Sequence, residues 1–402
     1  MIFLYFLFLF SLFLKFKKRD SVAFFLLAVY LSSSFLSLLG EIYYPSKYDI
    51  NDWAILYYII CIIMSLLPFL IFGKYSSSSF LFNDRYIRYL SIVLISFGLI
   101  SLYYSIQNLF TISTVVNNLR DVRQSYYQGY ELVESSNSLI EILSNWVNNI
   151  NYLSLFFSVY FLTRKRFIYA LLLFIASLSM PINKMCIGER EATLIWVANF
   201  TYSIIFFREA IPSNILLTFK KVSLVILIPM VVFFVAMTIS RFEDEDGGIL
   251  KGLFVYGGEQ CQNFSYFFTH LDEQKLGGKL NFGYLFPLKS QLQGPINDYI
   301  SSPIYLNVFG GIPGSLFLDF GYFTIFYIMV YSLISFILLK QSKQYKYSFW
   351  KCIFLYFNFQ ILFTGVFYYD FTTKYALVMH ILLYSSLLFY NLILRNFKVI
   401  KK

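Results

Sequence analysis

The sequence predicts an all-α, polytopic integral membrane protein of about eleven transmembrane helices with one large outer loop. Three observations carry this reading. Apolar residues make up 58% of the 402 positions and charged residues only 13%, against about 25% charged in soluble domains. The apolar residues gather into repeated blocks of membrane-spanning length. The bases behind the net charge of +10 fall between those blocks instead of on one face, so they read as topology signals for a lipid bilayer, and no nucleic-acid partner is expected.

The blocks lie at 1–14, 21–39, 53–72, 89–110, 146–162, 167–180, 192–207, 222–239, 317–339, 349–368 and 375–394. A helix needs about 20 residues to cross the hydrocarbon, so 1–14, 167–180 and 192–207 must borrow flanking residues such as Thr163 or Ile187. In the first block the charges follow the apolar run and no small-residue cleavage site is evident, which favours a retained anchor over a signal peptide. Trp53, Trp146, Trp196 and Trp350 fall near helix ends, as an aromatic belt at the headgroups would. The whole chain, 1–402, reads as one transmembrane domain.

Lys and Arg set the orientation. Lys15, Lys17, Lys18, Arg19, Lys74, Arg85, Arg88, Arg164, Lys165, Arg166, Arg208, Lys220, Lys221, Lys340, Lys343, Lys346, Arg395, Lys398, Lys401 and Lys402 all fall in alternate short segments, with only Asp20, Asp84 and Glu209 as acids beside them. That side is cytoplasmic. The N-terminus and the loops near 40–52, 111–145, 181–191, 240–316 and 369–374 then face outward.

Two outer loops are long enough to build a site. In 111–145, Arg120 and Arg123 stand three residues apart and would share a helix face, and Tyr126 and Tyr127 offer stacking planes for sugar rings. An interfacial amphipathic segment with arginines on lipid phosphates is the alternative. In 240–316, Arg241 precedes the run Glu243-Asp244-Glu245-Asp246. The acids fit a solvated turn, whereas a guanidinium at the membrane surface matches diphosphate oxygens bidentately.

The turn 183–191 adds Lys184 and Arg190 between two short helices, with an ion pair to Glu189 or Glu191 as the alternative role. Asp319 lies at the hydrocarbon boundary, where an acid is costly and reads as functional by default; a helix N-terminal acid held by the dipole is its plainer reading. His270 is a candidate base or glycan contact, or an incidental histidine.

The chain contains no GxxxxGK[ST], no GxGxxG after a strand and no HExxH, and its only histidines are His270 and His380. No metal or cofactor is therefore expected, and substrates should arrive through the membrane. Of Cys61, Cys186, Cys261 and Cys352, only Cys186 and Cys261 fall on the outer side, where a disulfide is chemically possible and four unlinked thiols are the alternative.

The order Gly257-Gly258, Gly283 with Phe286-Pro287, Asn307-Val308 and Asp319-Phe320-Gly321 before a long apolar run resembles the O-antigen polymerase family, the oligosaccharide repeat-unit polymerases of bacterial envelopes. Gly188-Glu189-Arg190 is similar to the Gly-Ser-Arg turn of many members. The pattern covers 181–340. The paired Arg-x10-Gly loops of some members are absent, because Arg120 and Arg123 have no glycine at that spacing.

The resemblance implies a multi-pass protein of the bacterial cytoplasmic (inner) membrane that polymerises undecaprenyl-diphosphate-linked oligosaccharide repeats on the outer face, without metal or nucleotide. It implies a chain-length regulator and a flippase as partners. For that chemistry the candidates read from the residues, Arg241, Arg190, Asp319 and His270, form the catalytic set, and Arg120, Arg123, Lys184, Tyr126 and Tyr127, with Gly257, Gly258 and Asn307 of the resembling pattern, form the substrate set. An O-antigen ligase or another lipid-linked glycosyl or acyl transferase is the near alternative. A lipid-linked oligosaccharide flippase is the alternative of another class, against which stand the absence of a sequence repeat and the concentration of polarity in the outer loops.

The orientation predicts that a phosphatase-type reporter fused after Asp272 is active. A cytoplasmic reporter active there, with the phosphatase silent, would overturn it.

Overall fold

A computed structural model describes residues 1–15, 21–43, 50–115, 138–186, 191–215, 257–270, 309–340, 346–367 and 378–389, with Tyr369 and isolated positions between 217 and 254. Apart from one isolated bridge between Phe80 and Tyr347, the regular elements among the described residues are helical. They are α1 (Ile2–Lys15), α2 (Val22–Tyr43), α3 (Asp52–Phe72), α4 (Asp84–Val115), α5 (Ser138–Asn148), α6 (Tyr152–Thr163), α7 (Phe167–Ala176), α8 (Ser179–Met185), α9 (Glu191–Phe207), α10 (Gln260–Thr269), α11 (Gly311–Phe320), α12 (Thr324–Leu339), α13 (Phe349–Thr364) and α14 (Val378–Phe389).

Among the described residues, five stretches are long and apolar enough to cross a membrane: Val22–Tyr43, Asp52–Phe72, Asp84–Thr111, Phe167–Met185 and Gly311–Leu339. Shorter apolar helices stand at Ile2–Lys15, Tyr152–Thr163, Phe349–Thr364 and Val378–Phe389. The protein is thus an all-α, multi-pass membrane protein. Exposed side chains agree: Ile92, Val93 and Ile100 on α4, Ile168 and Leu171 on α7, and Phe326, Val330, Leu333 and Ile337 on α12 are exposed, apolar area that suits a lipid bilayer.

The chain divides into two compact units. The first comprises 1–75, 246–345 and 351–374. In it α1 lies along α2, α12 runs along α3, and α10 and α11 fill the remaining side of α3. Asn51 caps α3, its Oδ1 accepting from the Trp53 and Ala54 amides at 2.9 and 3.4 Å, which satisfies donors that a helix start leaves bare. Gly73 ends α3, donating to Phe69 O. Tyr30, fully buried, donates to Leu362 O at 2.8 Å and ties α2 to α13.

The second unit comprises 76–245, 346–350 and 375–402. Here α6 is buried along its length, packed on α7 and α9. Phe156 meets Phe206 and Phe207 at centroid distances of 5.5 and 4.9 Å. The helix α4 crosses α5, α7 and α8, and its Gly98 permits that approach: a Cβ there would stand 2.8 Å from Ala176 Cβ.

Two expected blocks are interrupted. The run 167–180 becomes α7 and α8, separated at Ser177 and Leu178, and the run 317–339 becomes α11 and α12, separated by a short 3-10 turn, Gly321–Phe323. The expected loop 240–316 contains a buried helix, α10.

Gly98→Val should destabilise the second unit by about 1–3 kcal/mol through overpacking. Ala176→Gly in the same chain should restore most of the loss, read as the thermal midpoint in detergent. Equal midpoints for Gly98→Val and wild type would refute the contact.

Candidate functional site

In the first unit the site is organised by α10, a helix that carries amides inside an aromatic core. Gln260, Gln262, Asn263 and Ser265 are all buried, and each has a partner. Ser33 donates to Gln260 Oε1 at 3.1 Å, Gln262 Nε2 to Glu41 at 2.8 Å, and Asn263 Nδ2 to Phe309 O at 3.0 Å. The Asn51 amide donates to Ser265 Oγ at 2.8 Å. A buried polar group without a partner costs about 1–3 kcal/mol, so these four contacts key α10 to α2, to the start of α3 and to the approach to α11.

Glycines set the spacing on both sides. A Cβ at Gly257 would run into the Leu36 side chain, and one at Gly258 into the backbone of Leu36 and Ser37. Both glycines therefore pack the entry to α10 against α2. On the exit side Gly310 lies under the Phe267 ring, and Gly311 takes φ +66°, a conformation open to glycine. There the Gly311 and Ile312 amides donate to Phe367 O and Gly365 O at 2.8 and 2.9 Å.

His270 follows α10. Its Nδ1 lies 3.0 Å from both Tyr266 O and Thr269 Oγ1. A carbonyl oxygen only accepts, so the Tyr266 contact suits the tautomer with its proton on Nδ1, which keeps the lone pair on Nε2. The same end of α10 meets the end of α11: Phe268 lies 5.5 Å from Phe317 and 5.2 Å from Tyr322.

Asp319 is buried at 3% exposure, but its place differs from the helix start read in the sequence. It lies in the last turn of α11, where the macrodipole disfavours an acid, and the following glycine explains why. Gly321 takes φ +56° and donates to Phe317 O, so Asp319-Phe320-Gly321 is a helix stop. Tyr57 then bridges the interruption. Its hydroxyl donates to Tyr322 O at 3.1 Å and accepts from the Ile325 amide at 2.9 Å.

Lys184 belongs to the second unit, in the last turn of α8. That short helix is fixed by Asn151, whose Nδ2 donates to Ser177 O at 3.0 Å and Ser179 Oγ at 2.9 Å. Ser179 donates on to Asn148 Oδ1 at 3.0 Å, and Trp196 Nε1 donates to Ser177 Oγ at 3.0 Å.

Arg120, Arg123, Tyr126, Tyr127, Arg190, Arg241 and Asn307 lie outside the described residues. The four cysteines are free and buried, so the possible Cys186–Cys261 bridge is not formed. Cys186 donates to Ser105 O at 3.3 Å, and Cys261 Sγ is 2.9 Å from Ser37 Oγ. Burial pushes the Cys261 thiol up to about 11, which makes it a packing group and not a nucleophile.

Sequence reasoning missed Glu41, Asn51, Gln262 and Asn263. The available signal was the amide run Gln260-Cys261-Gln262-Asn263 entering an aromatic stretch.

Tyr57→Phe retains the ring, which stacks on Phe264 at 5.9 Å, and removes both hydrogen bonds to the α11–α12 interruption. Hydrogen exchange at the Ile325 amide should accelerate about tenfold, in line with one lost bond of about 1.4 kcal/mol. Unchanged protection at Ile325 would refute the clamp. No known family, curated protein or solved structure matches this chain.

Proposed function

We propose that the protein is a glycosyltransferase that polymerises undecaprenyl-diphosphate-linked oligosaccharide repeats on the outer face of the bacterial cytoplasmic membrane. One observation supports the reading above the others. Two segments that carry the sequence resemblance, Gly257-Gly258 and Asp319-Phe320-Gly321, form the entry to α10 and the end of α11, and these two helices pack on each other around amide-bearing α10.

In this reading the anomeric C–O bond of the donor breaks, and its electron pair leaves with undecaprenyl diphosphate. A hydroxyl of a second lipid-linked repeat forms the new glycosidic bond. His270 Nε2 accepts the hydroxyl proton. Arg190 and Arg241 neutralise the departing diphosphate, while Lys184, Arg120, Arg123, Tyr126, Tyr127 and Asn307 hold the two substrates. The Asp319 segment keeps α10 and its histidine in place as a positioning element.

A transporter of the same lipid-linked oligosaccharide is the second reading. What favours it is the interruption of one apolar helix in each unit, at 177–178 and at 321–323, since discontinuous helices line many transport sites.

A deletion strain should carry surface polysaccharide of single-repeat length. Arg190→Ala or Arg241→Ala should shorten the chains at normal protein level. Lys in their place should restore activity only partly, because it lacks the planar fork. Wild-type chains from both Ala variants would refute the diphosphate role, and loss of all surface repeats with repeats trapped inside would favour the transporter.

A further inference from the structure

Among the described residues, the second unit places seven bases on one surface. Asp84 at the start of α4 bonds Arg164 after α6, N to O 3.3 Å, and also accepts from Tyr160. Ser76 donates to Glu209 at 2.7 Å. Tyr347 pairs with the segment 79–81 through bonds of 2.8 and 2.9 Å. These contacts bring the segments 76–88, 160–168, 207–210 and 346–349 to one surface. It bears Arg85, Arg88, Arg164, Lys165, Arg166, Arg208 and Lys346, all but Arg166 exposed. The acids there are Asp84, bound to Arg164, and Glu209, bound to Ser76. Lys and Arg counting assigns this end to the cytoplasmic side.

Lys165 adds an independent observation. The chain leaves α6 by a Schellman turn: the Arg166 amide donates to Phe161 O at 2.9 Å and the Lys165 amide to Leu162 O at 3.1 Å. Lys165 occupies the left-handed position at φ +56°, alone among the described non-glycine residues. Glycine would relax that position, and the strain of a side chain there points to a use for the side chain. Beside it Phe167 and Ile168 are exposed at 53% and 75%, and Tyr89 follows Arg88 at 61%. Bases thus stand directly at the polar edge of a lipid-facing apolar surface.

We propose that this end of the second unit binds the headgroups of anionic phospholipids, with Arg85, Arg88 and Lys165 on the lipid phosphates. The charge is complementary, since the bases exceed the acids and both acids are already engaged. The apolar rim fixes the source as bilayer lipid, because the chains of the same lipid lie along Phe167, Ile168 and Tyr89. The proposal stands independently of the polymerase reading.

The test uses the full chain in nanodiscs of phosphatidylcholine alone or mixed with phosphatidylglycerol. The thermal midpoint of the wild type should rise by a few degrees with phosphatidylglycerol, and the rise should shrink at high salt. The combined Arg85→Gln, Arg88→Gln and Lys165→Gly variant should lose the rise. Lys165→Gly alone separates the side chain from the turn: its midpoint in phosphatidylcholine should equal or exceed wild type, with a smaller gain from phosphatidylglycerol. An undiminished gain in either variant, equal wild-type midpoints in the two lipid mixtures, or full reproduction of the gain by inorganic phosphate in phosphatidylcholine discs would overturn the assignment.

Discussion

A backbone N–H or C=O left bare in hydrocarbon costs several kcal/mol, and among the described residues two apolar helices are interrupted. Each interruption is met by one side chain from a neighbouring helix or its approach. Asn151 caps the carbonyl end at Ser177, and Tyr57 serves the Tyr322 carbonyl and the Ile325 amide together. The short helix α8 with Lys184 and the segment around Asp319 are held where they are because those two side chains satisfy the backbone between the helix halves.

The same constraint explains what the sequence revealed. Blocks bounded by clear caps or charges are read closely: 53–72 against Asp52–Phe72, where Asn51 is the cap, and 192–207 against Glu191–Phe207, with Arg208 beyond. Hydropathy is blind to an interruption inside an apolar run, because Ser177-Leu178 and Gly321-Tyr322-Phe323 lower the average little and the partner that makes each break tolerable is remote in sequence. Asn151 precedes its break by 26 residues, and Tyr57 lies 265 from Tyr322. The buried helix α10 was hidden for the opposite reason. Its amides read as loop, and their pairing with Ser33, Glu41 and Phe309 gives them an interior place.

Among candidate residues, the structure sharpened roles more than it added them. Gly258 is needed where backbone meets backbone, and Gly257 lies against the Leu36 side chain. Asp319 closes a helix that it was expected to open, because Gly321 and not the acid dictates the local conformation. His270 gains a contact to the carbonyl four residues back, a detail no spacing rule supplies. The bases of the cytoplasmic side, read in the sequence as orientation signals, include a lysine in the left-handed region and a clustered surface, so topology is not their whole chemistry.

The polymerase account is tested most directly by reconstitution. Purified protein in proteoliposomes, supplied only with undecaprenyl-diphosphate-linked repeats, should yield a ladder of lipid-linked products and release one undecaprenyl diphosphate per bond formed, without nucleotide. Lipid-linked repeats that cross the bilayer unchanged in length, with no diphosphate released, would contradict the account.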